Sequence, residues 1–445
     1  MGQFFKSIAQ KYQIQLVFAG AFIIRLIGLN QSLWLDEATT ARVVKEYTMI
    51  GLIRQFSQFD FHPPLYYICM KIWTAVVGYS EIALRMPSVI FSLIAGYFIY
   101  RTVLYLKNKR TALWAALFFL CNPLIVYYSQ EARMYMLTVC LLSMATYFLF
   151  IDEKQSRLSI KIYMGVCLAA SFAVFYGSIF YSASVLLILL VRRRFHTLFV
   201  ALLFIILAIV ILSPLTISQY MHSQTALTSI ALWSNVLGTV TLKNILLIPL
   251  KFAVGRISFE PKWLYWLLGG FWSIAVWFIV LKGFLVQKSF AVLCVMPLLL
   301  GIIFSFFSPL LTYFRFLYLL IPISIALAYG VTNKKHAYSM LIGFVFFSGL
   351  YVLVARFHRE NWKDAARVVP SHSIVYGVPS SMDALTYYRS DIKVNNIRTL
   401  TMQNAPKTFI VFPYTSELYG INTYTQFRVI RSQDYRGVIV LTISR

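Results

Sequence analysis

The stretch Trp34-Leu35-Asp36-Glu37-Ala38 places two adjacent carboxylates directly after the first hydrophobic segment of the chain, residues 15–29. The residues that follow, 38–56, are compatible with a helix. If the first segment crosses a membrane, this acidic pair lies at the boundary between lipid and water. The rest of the chain decides whether it does.

The composition is that of a membrane protein. The 445 residues are 60% hydrophobic and only 12% charged. Several apolar runs approach the ~20 residues that a helix needs to cross a bilayer. We therefore predict an α-helical polytopic membrane protein.

The formal net charge of +25 does not indicate binding to nucleic acid. Lys and Arg stand in short clusters between the hydrophobic runs, which is the distribution expected of cytoplasmic loops in membrane proteins. We therefore expect membrane lipids, and no nucleic acid, among the partners.

The cysteines predict neither a disulfide framework nor a metal site, because they lie in apolar segments without CxxC spacing. There are five: Cys69, Cys121, Cys140, Cys167 and Cys294. No cofactor is expected, although the sequence leaves assistance by a divalent metal open. The polar and basic start, residues 1–15, is not followed by a cleavage site after the first apolar run, which we predict to be a retained helix.

Positive charges predict which helix ends face the cytoplasm. Lys6 and Lys11 precede the first helix, so the N-terminus is predicted to be cytoplasmic and Asp36 to lie outside. The apolar stretch 63–78 is ambiguous, because a crossing there would move three later basic clusters outside: 107–110, 154–161 and 192–194. With Lys71 in its middle, we interpret it as a re-entrant or interfacial segment of the first outer loop.

This choice gives eleven predicted spans in a transmembrane domain, residues 1–355, of a multi-pass protein of the plasma (inner) membrane. They cover residues 15–29, 82–104, 111–128, 134–151, 161–176, 178–191, 197–213, 263–281, 289–308, 313–331 and 337–355. Residues 214–261 are predicted to form a long outer loop whose apolar middle could lie flat on the membrane.

From residue 356 onward the composition becomes that of a soluble domain. Residues 362–369 predict a short helix, and residues 373–378, 408–412, 427–431 and 437–443 predict strands. The turn at 434–437 joins the last two strands. We predict a small C-terminal α/β domain, 356–445, that is extracytoplasmic because an odd number of spans puts it on the same side as Asp36.

Polar residues suited to chemistry gather at the outer helix ends, whereas a transporter would keep them near the bilayer midplane. Asp36, with Glu37 beside it, could act as a general base towards a hydroxyl or an amine. Alternatively, Asp36 caps the helix that follows and Glu37 complements its dipole.

The next two motifs each also allow an interpretation without a role in chemistry. His62 is followed by two prolines that hold it at the surface near the first loop, where it either assists at a phosphate or does nothing chemical. Glu81 and Arg85 are spaced i, i+4, so a local ion pair is a sufficient account of both.

The last two motifs combine aromatic and charged residues. Glu131 and Arg133 occupy the turn between the third and fourth predicted spans. Tyr313 and Arg315 begin the tenth, where Arg315 either reaches lipid headgroups or clamps one phosphate in a bidentate fashion. Arg25, near the outer end of the first span, poses the same choice. Together the five motifs supply a base, cations and aromatic rings on one face.

Four stretches carry a resemblance to a known family. They read Leu33-Trp34-Leu35-Asp36-Glu37-Ala38, His62-Pro63-Pro64-Leu65-Tyr66-Tyr67, Glu81-x-Ala83-Leu84-Arg85-x-Pro87-Ser88 and Tyr127-Tyr128-Ser129-Gln130-Glu131-Ala132-Arg133-x-Tyr135. In this order they resemble the bacterial branch of the protein O-mannosyltransferase-like family, in the C superfamily of integral-membrane glycosyltransferases. That superfamily also includes the enzyme that adds aminoarabinose to lipid A. The resemblance is strong over residues 1–150, weaker in the middle, and returns at 313–322 and 359–366.

The resemblance implies roles for single residues. Asp36 matches the first-loop aspartate regarded as the catalytic base, and Glu37 matches its acidic neighbour. His62 stands where relatives place a His or Lys beside the donor phosphate. The remaining predicted substrate-binding residues are Arg85, Glu131, Arg133, Tyr313 and Arg315, of which Arg133 and Arg315 match basic positions suited to gripping that phosphate. Some relatives carry an Asp where this chain has Glu131, so the role of Glu131 stays open.

The predicted activity is an inverting transfer of a sugar from a polyprenyl-phosphate donor to an acceptor on the outer face, with Asp36 as general base. The acceptor is a lipid, a glycan or a protein, and the donor sugar is not specified. No Gly-rich phosphate loop is present for a nucleotide sugar. Two alternatives stay open: a flippase or transporter of lipid-linked sugars, and a non-catalytic membrane receptor.

Overall fold

The structure is a computed structural model that describes residues 12–230 and 232–445. Lys6 and Lys11, which predicted the orientation of the first helix, lie outside the described residues. We number the longer helices in chain order: α1 (Gln13–Leu26), α2 (Leu35–Glu46), α3 (Leu65–Val77), α4 (Glu81–Leu106), α5 (Lys109–Leu120), α6 (Pro123–Ser129), α7 (Tyr135–Gln155), α8 (Leu158–Val174), α9 (Ile179–Val191), α10 (Phe195–Ser229), α11 (Trp233–Leu237), α12 (Leu242–Val254), α13 (Lys262–Val286), α14 (Lys288–Ser305), α15 (Leu320–Gly330), α16 (Lys334–Leu353), α17 (Trp362–Arg367) and α18 (Asp383–Tyr388).

The chain is a multi-pass membrane protein. Eight helical stretches of the described residues are long and apolar enough to cross a membrane, or nine if the bent pair α5 and α6 forms one span. The eleven predicted spans are all found as helices, but those at 15–29, 161–176 and 178–191 are short. Length and composition therefore assign a crossing to fewer helices than the charge pattern did.

The stretch 63–78, predicted not to cross, forms the 13-residue helix α3, which is too short for a straight span. Lys71 donates a hydrogen bond from Nζ to the carbonyl oxygen of Val44 in α2 at 3.0 Å. The charged group in the middle of this apolar helix is thus satisfied by the neighbouring helix of the same loop.

The segment 214–261 differs from the predicted outer loop. Helix α10 continues through Pro214 to Ser229, and 233–254 is itself long and apolar enough to be a span. Neighbouring helices in a membrane protein can satisfy the groups that a proline frees, so Pro214 does not end the helix. Lys251 donates to the carbonyl oxygen of Ile257 at 2.9 Å, which removes the reason to keep that lysine in water.

Arg25 resolves the choice that its position left open. It is fully buried and donates to Ser92 Oγ and to the carbonyl oxygens of Ala21 and Leu120, each at 2.9 Å. These bonds join α1 to α4 and to the end of α5. Arg25 therefore holds the bundle together and reaches neither a lipid headgroup nor the site described below.

The C-terminal segment contains a five-stranded sheet in the order β2-β1-β3-β5-β4. The strands are β1 (Val375–Gly377), β2 (Val394–Asn396), β3 (Thr408–Val411), β4 (Arg428–Asp434) and β5 (Ile439–Ser444). Strands β1 and β2, and β1 and β3, are parallel, whereas β5 is antiparallel to β3 and to β4. The four predicted strands are present, but they begin or end at different residues than predicted. Strand β2 was not predicted, because its three residues include only one apolar side chain and show no alternation.

The C-terminal segment packs against the end of the bundle that carries Asp36. Asp383 accepts a hydrogen bond from Thr39 Oγ1 at 2.7 Å and forms an ion pair with Arg42 at 2.9 Å, both in α2. The hydroxyl of Tyr388 accepts the N–H of Leu33 at 2.8 Å. The predicted common side of Asp36 and this segment is therefore observed. The division at residue 356 stays a prediction.

Two glycines let α13 and α15 approach closely. A Cβ atom at Gly283 would collide with the backbone carbonyl of Ala326, and one at Gly330 with that of Ile279. The same helix α13 contains Gly270, which faces open space and has no atom within 4 Å of such a Cβ.

We expect Gly283→Ala to destabilise the protein by about 1–3 kcal/mol, because backbone must move to admit the methyl group. Gly270→Ala is the matched control on the same helix and should not destabilise. Thermal unfolding in detergent compares them. Equal melting temperatures for the two variants would contradict the close helix crossing.

Candidate active site

Helix α2 begins at Leu35, so Asp36 and Glu37 lie in its first turn and Trp34 precedes it. The Glu37 carboxylate accepts the N–H of Trp34 at 3.4 Å, and Asp36 makes no such capping bond. Successive helical residues point in directions about 100° apart. Glu37 is accordingly fully buried, whereas the Asp36 side chain is 37% exposed.

Glu37 forms a bidentate ion pair with Arg85 of α4. Arg85 Nε lies 2.8 Å from Oε1 and Nη2 lies 2.5 Å from Oε2, and Oε1 also accepts the N–H of Ala132 at 2.8 Å. Burial opposes ionisation, but the guanidinium groups of Arg85 and Arg359 hold the pKa of Glu37 below its usual 4.5. Glu37 is thus a buried anion between three segments.

The remaining N–H groups of Arg85 donate hydrogen bonds to the loop before α2. It donates to the carbonyl oxygens of Leu29, Gln31 and Ser32 at 2.9, 2.7 and 2.9 Å. Arg85 therefore has no N–H group left for a phosphate. We replace its predicted role in substrate binding by a structural role, which is to hold this loop and Glu37. Glu37 is fully buried as well and cannot contact a substrate. We therefore replace its predicted direct role in catalysis by that of the buried ion-pair partner of Arg85.

Arg133 is the cation beside Asp36. Its Nη2 lies 3.5 Å from Asp36 Oδ2, and its Nε has no partner among the described residues. Burial opposes the positive charge, but Asp36, Tyr67, Tyr135 and Asp60 raise the pKa of Arg133 well above its usual value. A charged guanidinium with a free N–H therefore faces the same space as Asp36.

Asp60 is a further carboxylate at this place that sequence reasoning missed. His62 Nδ1 lies 3.4 Å from Asp60 Oδ1. Burial raises the pKa of Asp60, but His62 and Arg133 outweigh it and the pKa is lowered. His62 is thus brought near Arg133 through Asp60, and its backbone oxygen accepts a bond from Gln219 at 3.0 Å.

Glu131 is enclosed, not open to the site. It is 1% exposed and accepts a bond from Arg359 Nη2 at 3.1 Å, while Arg359 also donates to the carbonyl oxygens of Gln130 and Tyr127. Burial raises the pKa of Glu131 although Arg359 opposes this. Like Glu37, the residue joins two segments, here the α6–α7 turn and the C-terminal segment.

Arg256 is the second functional candidate that the sequence did not reveal. It is exposed, yet Nη1 donates to the hydroxyl of Tyr127 at 2.6 Å and the guanidinium lies 5.0 Å from that ring. The nearby tyrosines, including Tyr313, raise the pKa of Arg256 well above its usual value. No sequence signal distinguishes it from other loop arginines, because only the fold brings it to Tyr127.

Tyr313 and Arg315 begin a short 3-10 turn before α15 and differ in their surroundings. Tyr313 lies near Arg256, whereas Arg315 Nη1 donates to the carbonyl oxygens of Leu237 and Pro309 at 2.8 and 3.3 Å. Arg315 thus fastens α11 to this turn with one of its nitrogen atoms. The aromatic side chains here form one cluster: Tyr128, Tyr135, Phe175, Tyr313 and Phe314.

The described parts of the chain contain no group of three or more His, Cys, Asp or Glu side chains placed to hold a metal ion. Asp36, Asp60, His62 and Arg133 lie together, and Arg256 joins them through Tyr127 and through Tyr414, on which both Asp36 and Arg256 act. We refer to Asp36, Asp60, His62, Arg133 and Arg256 as the charged cleft. Such a set offers a carboxylate base and two guanidinium groups for an anion.

Comparison with known proteins identifies the fold. The chain is similar to ArnT from Cupriavidus metallidurans, with 11% identity over 98% of both chains and a TM-score of 0.60. The chain shares the fold of ArnT. The same ArnT bound to undecaprenyl phosphate matches with 12% identity over 97% of this chain and 98% of that one, at a TM-score of 0.60.

A more distant likeness and a sequence match agree with this fold. The Archaeoglobus fulgidus oligosaccharyltransferase in complex with Zn and sulfate shares 13% identity over 90% of this chain and 68% of its own, at a TM-score of 0.50. Residues 61–218 match the family described as dolichyl-phosphate-mannose-protein mannosyltransferase, which confirms the resemblance seen in the motifs. A search among curated proteins finds no match.

We expect Glu37→Gln to cost about 3–5 kcal/mol of stability near neutral pH, because it leaves Arg85 buried and unpaired. Since the folded-state pKa of Glu37 lies below 4.5, its contribution is complete above that pH and is lost as the pH falls through the folded value. The gap between wild type and variant should therefore close in acid. Chemical denaturation in detergent at several pH values measures it.

The control is Glu46→Gln at the other end of α2, where the Glu46 side chain is 58% exposed. Its stability should match that of wild type at every pH. A Glu37→Gln protein as stable as this control would mean that the buried pair does not hold the loop.

Proposed function

We propose that this protein is an inverting glycosyltransferase that moves a sugar from a polyprenyl-phosphate donor to an acceptor. The fold it shares with ArnT, which binds undecaprenyl phosphate, supports the class of donor. One observation supports the site most directly: Asp36 is turned out into the charged cleft, while its neighbour Glu37 is locked inward.

Asp36 acts as the general base. Its carboxylate takes the proton from an acceptor hydroxyl while that oxygen forms a bond to the anomeric carbon. The bond from that carbon to the phosphate oxygen breaks, and the electron pair leaves with the polyprenyl phosphate. Attack and departure on opposite faces invert the configuration, through an oxocarbenium-like transition state.

Arg133 and Arg256 stabilise the departing phosphate. Among residues 12–230 and 232–445, Arg133 Nε has no hydrogen-bond partner, and Arg256, an exposed residue, forms a side-chain hydrogen bond through Nη1 only. Guanidinium groups bind phosphate through charge-assisted, often bidentate, hydrogen bonds. His62, which Asp60 positions, and Tyr313 are proposed as further contacts of the donor. Arg315 is proposed to have a structural role, because it joins α11 to the turn that carries Tyr313.

The placement of the reaction follows from the same proposal. The cleft and the C-terminal segment share one end of the bundle, which we propose to be the extracytoplasmic end, with a cytoplasmic N-terminus in a plasma (inner) membrane. The lipid donor would then enter from the bilayer and the lipid, glycan or protein acceptor from the aqueous side.

We expect Asp36→Asn to lower transfer by about 10²- to 10⁴-fold while donor binding persists, because Asn keeps the size of the side chain but cannot take a proton. Purified protein in detergent would be incubated with radiolabelled polyprenyl-phosphate sugars and an extract of envelope acceptors. Sugar transfer and release of polyprenyl phosphate are the two readouts.

Glu46→Gln, on the same helix, should transfer at the wild-type rate. If wild type binds donors but transfers from none, a transporter of lipid-linked sugars is favoured, and uptake into proteoliposomes would show it. If the wild type binds no donor, the receptor alternative is favoured. Equal transfer by wild type and Asp36→Asn would remove Asp36 as the base.

We expect Arg256→Gln to weaken binding of polyprenyl phosphate by about tenfold to a hundredfold, the worth of charged hydrogen bonds of ~1.5–3 kcal/mol. Binding of the product, without any sugar, isolates the contribution of the phosphate. Arg367→Gln is the control, because the Arg367 side chain is 68% exposed on the C-terminal segment. Unchanged binding in Arg256→Gln would exclude Arg256 as a phosphate ligand.

A further inference from the structure

Glu360 is a half-buried carboxylate without a cation partner. Within the described residues, neither of its oxygen atoms lies within 4.0 Å of a Lys, Arg or His nitrogen. The other carboxylates around the site are all paired: Asp36 with Arg133, Glu37 with Arg85, Asp60 with His62, Glu81 with Lys363, and Glu131 with Arg359. Leaving one carboxylate unpaired in such a place is costly, so it calls for an explanation.

A rigid aromatic frame holds this carboxylate. The hydroxyl of Tyr414 donates to it at 2.9 and 3.0 Å, and Trp362 Nε1 donates to Oε2 at 3.0 Å. Trp362 is fully buried, stacks on Phe412 at 5.8 Å and meets the edge of Tyr414 at 4.8 Å. Both donors are neutral, so the group is positioned while its charge stays available.

The frame lies beside the charged cleft, because Arg359, which directly precedes Glu360, and Arg256 both contact Tyr127, with their guanidinium groups 4.2 and 5.0 Å from its ring. Burial raises the pKa of Glu360, the charge of Arg256 opposes that rise, and the charge of Asp36 adds to it. The same two residues, Asp36 and Arg256, also act on the hydroxyl of Tyr414. Glu360 and Tyr414 therefore lie within electrostatic reach of both the base and the cation of the cleft.

Under the proposed function, Asp36 and Arg256 act on opposite sides of the reacting carbon. In an inverting transfer the base stands on the acceptor side and the phosphate ligand on the leaving-group side. A carboxylate on which both residues act is therefore suited to contact the sugar that the reaction places at this site. Within the described residues, neither Glu360 nor Arg256 has an ion-pair partner of its own, so both keep charge available for a polar ligand.

We propose that Glu360 is a specificity-determining residue that accepts hydrogen bonds from hydroxyl groups of the transferred sugar, with Tyr414 as its positioning residue. The proposal rests on the proposed function. A half-buried carboxylate can discriminate between sugars, because a sugar whose hydroxyl group points elsewhere leaves it without that partner. The C-terminal segment thereby supplies part of the sugar site.

The test compares donors whose sugars differ in the number or arrangement of their hydroxyl groups. Polyprenyl-phosphate mannose, glucose, galactose and arabinose are assayed with wild type, Glu360→Gln and Tyr414→Phe. We expect Glu360→Gln to lower kcat/KM for the best donor by about tenfold to a hundredfold and to lower the poor donors less. The preference among donors should therefore narrow. Tyr414→Phe should narrow it to a smaller extent.

Glu417→Gln is the matched control, because Glu417 is an exposed glutamate of the same C-terminal segment. It should leave all four donors unchanged. Binding of sugar-free polyprenyl phosphate should be the same in wild type and Glu360→Gln, which also verifies that the variant is folded. Equal losses for every donor, no loss for any, or loss of phosphate binding would each overturn the proposal.

Failure of the proposed function gives a different result. If wild type transfers none of the sugars, or if Asp36→Asn transfers as well as wild type, the reaction itself is misassigned. If wild type transfers and Asp36→Asn does not, while Glu360→Gln keeps the wild-type preference, only the role of Glu360 is wrong.

Discussion

The buried ion pair between Arg85 and Glu37 is the interaction on which the site depends. Removing both charges from water is costly, and the pair is stable only because every remaining N–H group of Arg85 and both oxygen atoms of Glu37 have further partners. Those partners belong to the loop after α1, the start of α2 and the α6–α7 turn. With Glu37 fixed inward, the helical rotation of one residue leaves Asp36 facing the cleft.

The C-terminal segment uses the same kind of contact and is part of the site's construction. Arg359 binds the carbonyl oxygens of Tyr127 and Gln130 and the carboxylate of Glu131, so it fixes the turn that presents Arg133. Asp383 holds α2 directly behind Asp36. Without the C-terminal segment, the buried carboxylate of Glu131 would lose its ion-pair partner Arg359. The positions of α2 and of the α6–α7 turn are thus fixed by contacts between residues more than two hundred apart in sequence.

The sequence predicted features that depend on local pattern and missed those that depend on assembly. Apolar length located the helices, and the motif around Asp36 located the carboxylate that the structure turns outward. Arg85 shows the limit: a phosphate contact and a buried partner for Glu37 require the same residue type. The predicted span 197–213 stops before Pro214, whereas α10 continues through this proline to Ser229 because the surrounding bundle tolerates it. Arg256 and Asp60 carry no signal, since distant segments bring them to the cleft.

In this molecule, charged residues with several hydrogen-bond partners join helices, whereas several charged residues at the proposed active site lack such partners in the described chain. Arg25, Arg85 and Arg359 are buried and bonded to several partners, and they join helices. Around the charged cleft the pattern reverses: within the part of the chain that the structure describes, Arg133 Nε has no partner, Arg256 is exposed, and Glu360 has no ion-pair partner. Unpaired charged groups are costly to maintain, and here they face one space instead of being dispersed. A ligand that carries an anion beside several hydroxyl groups would satisfy all of them at once.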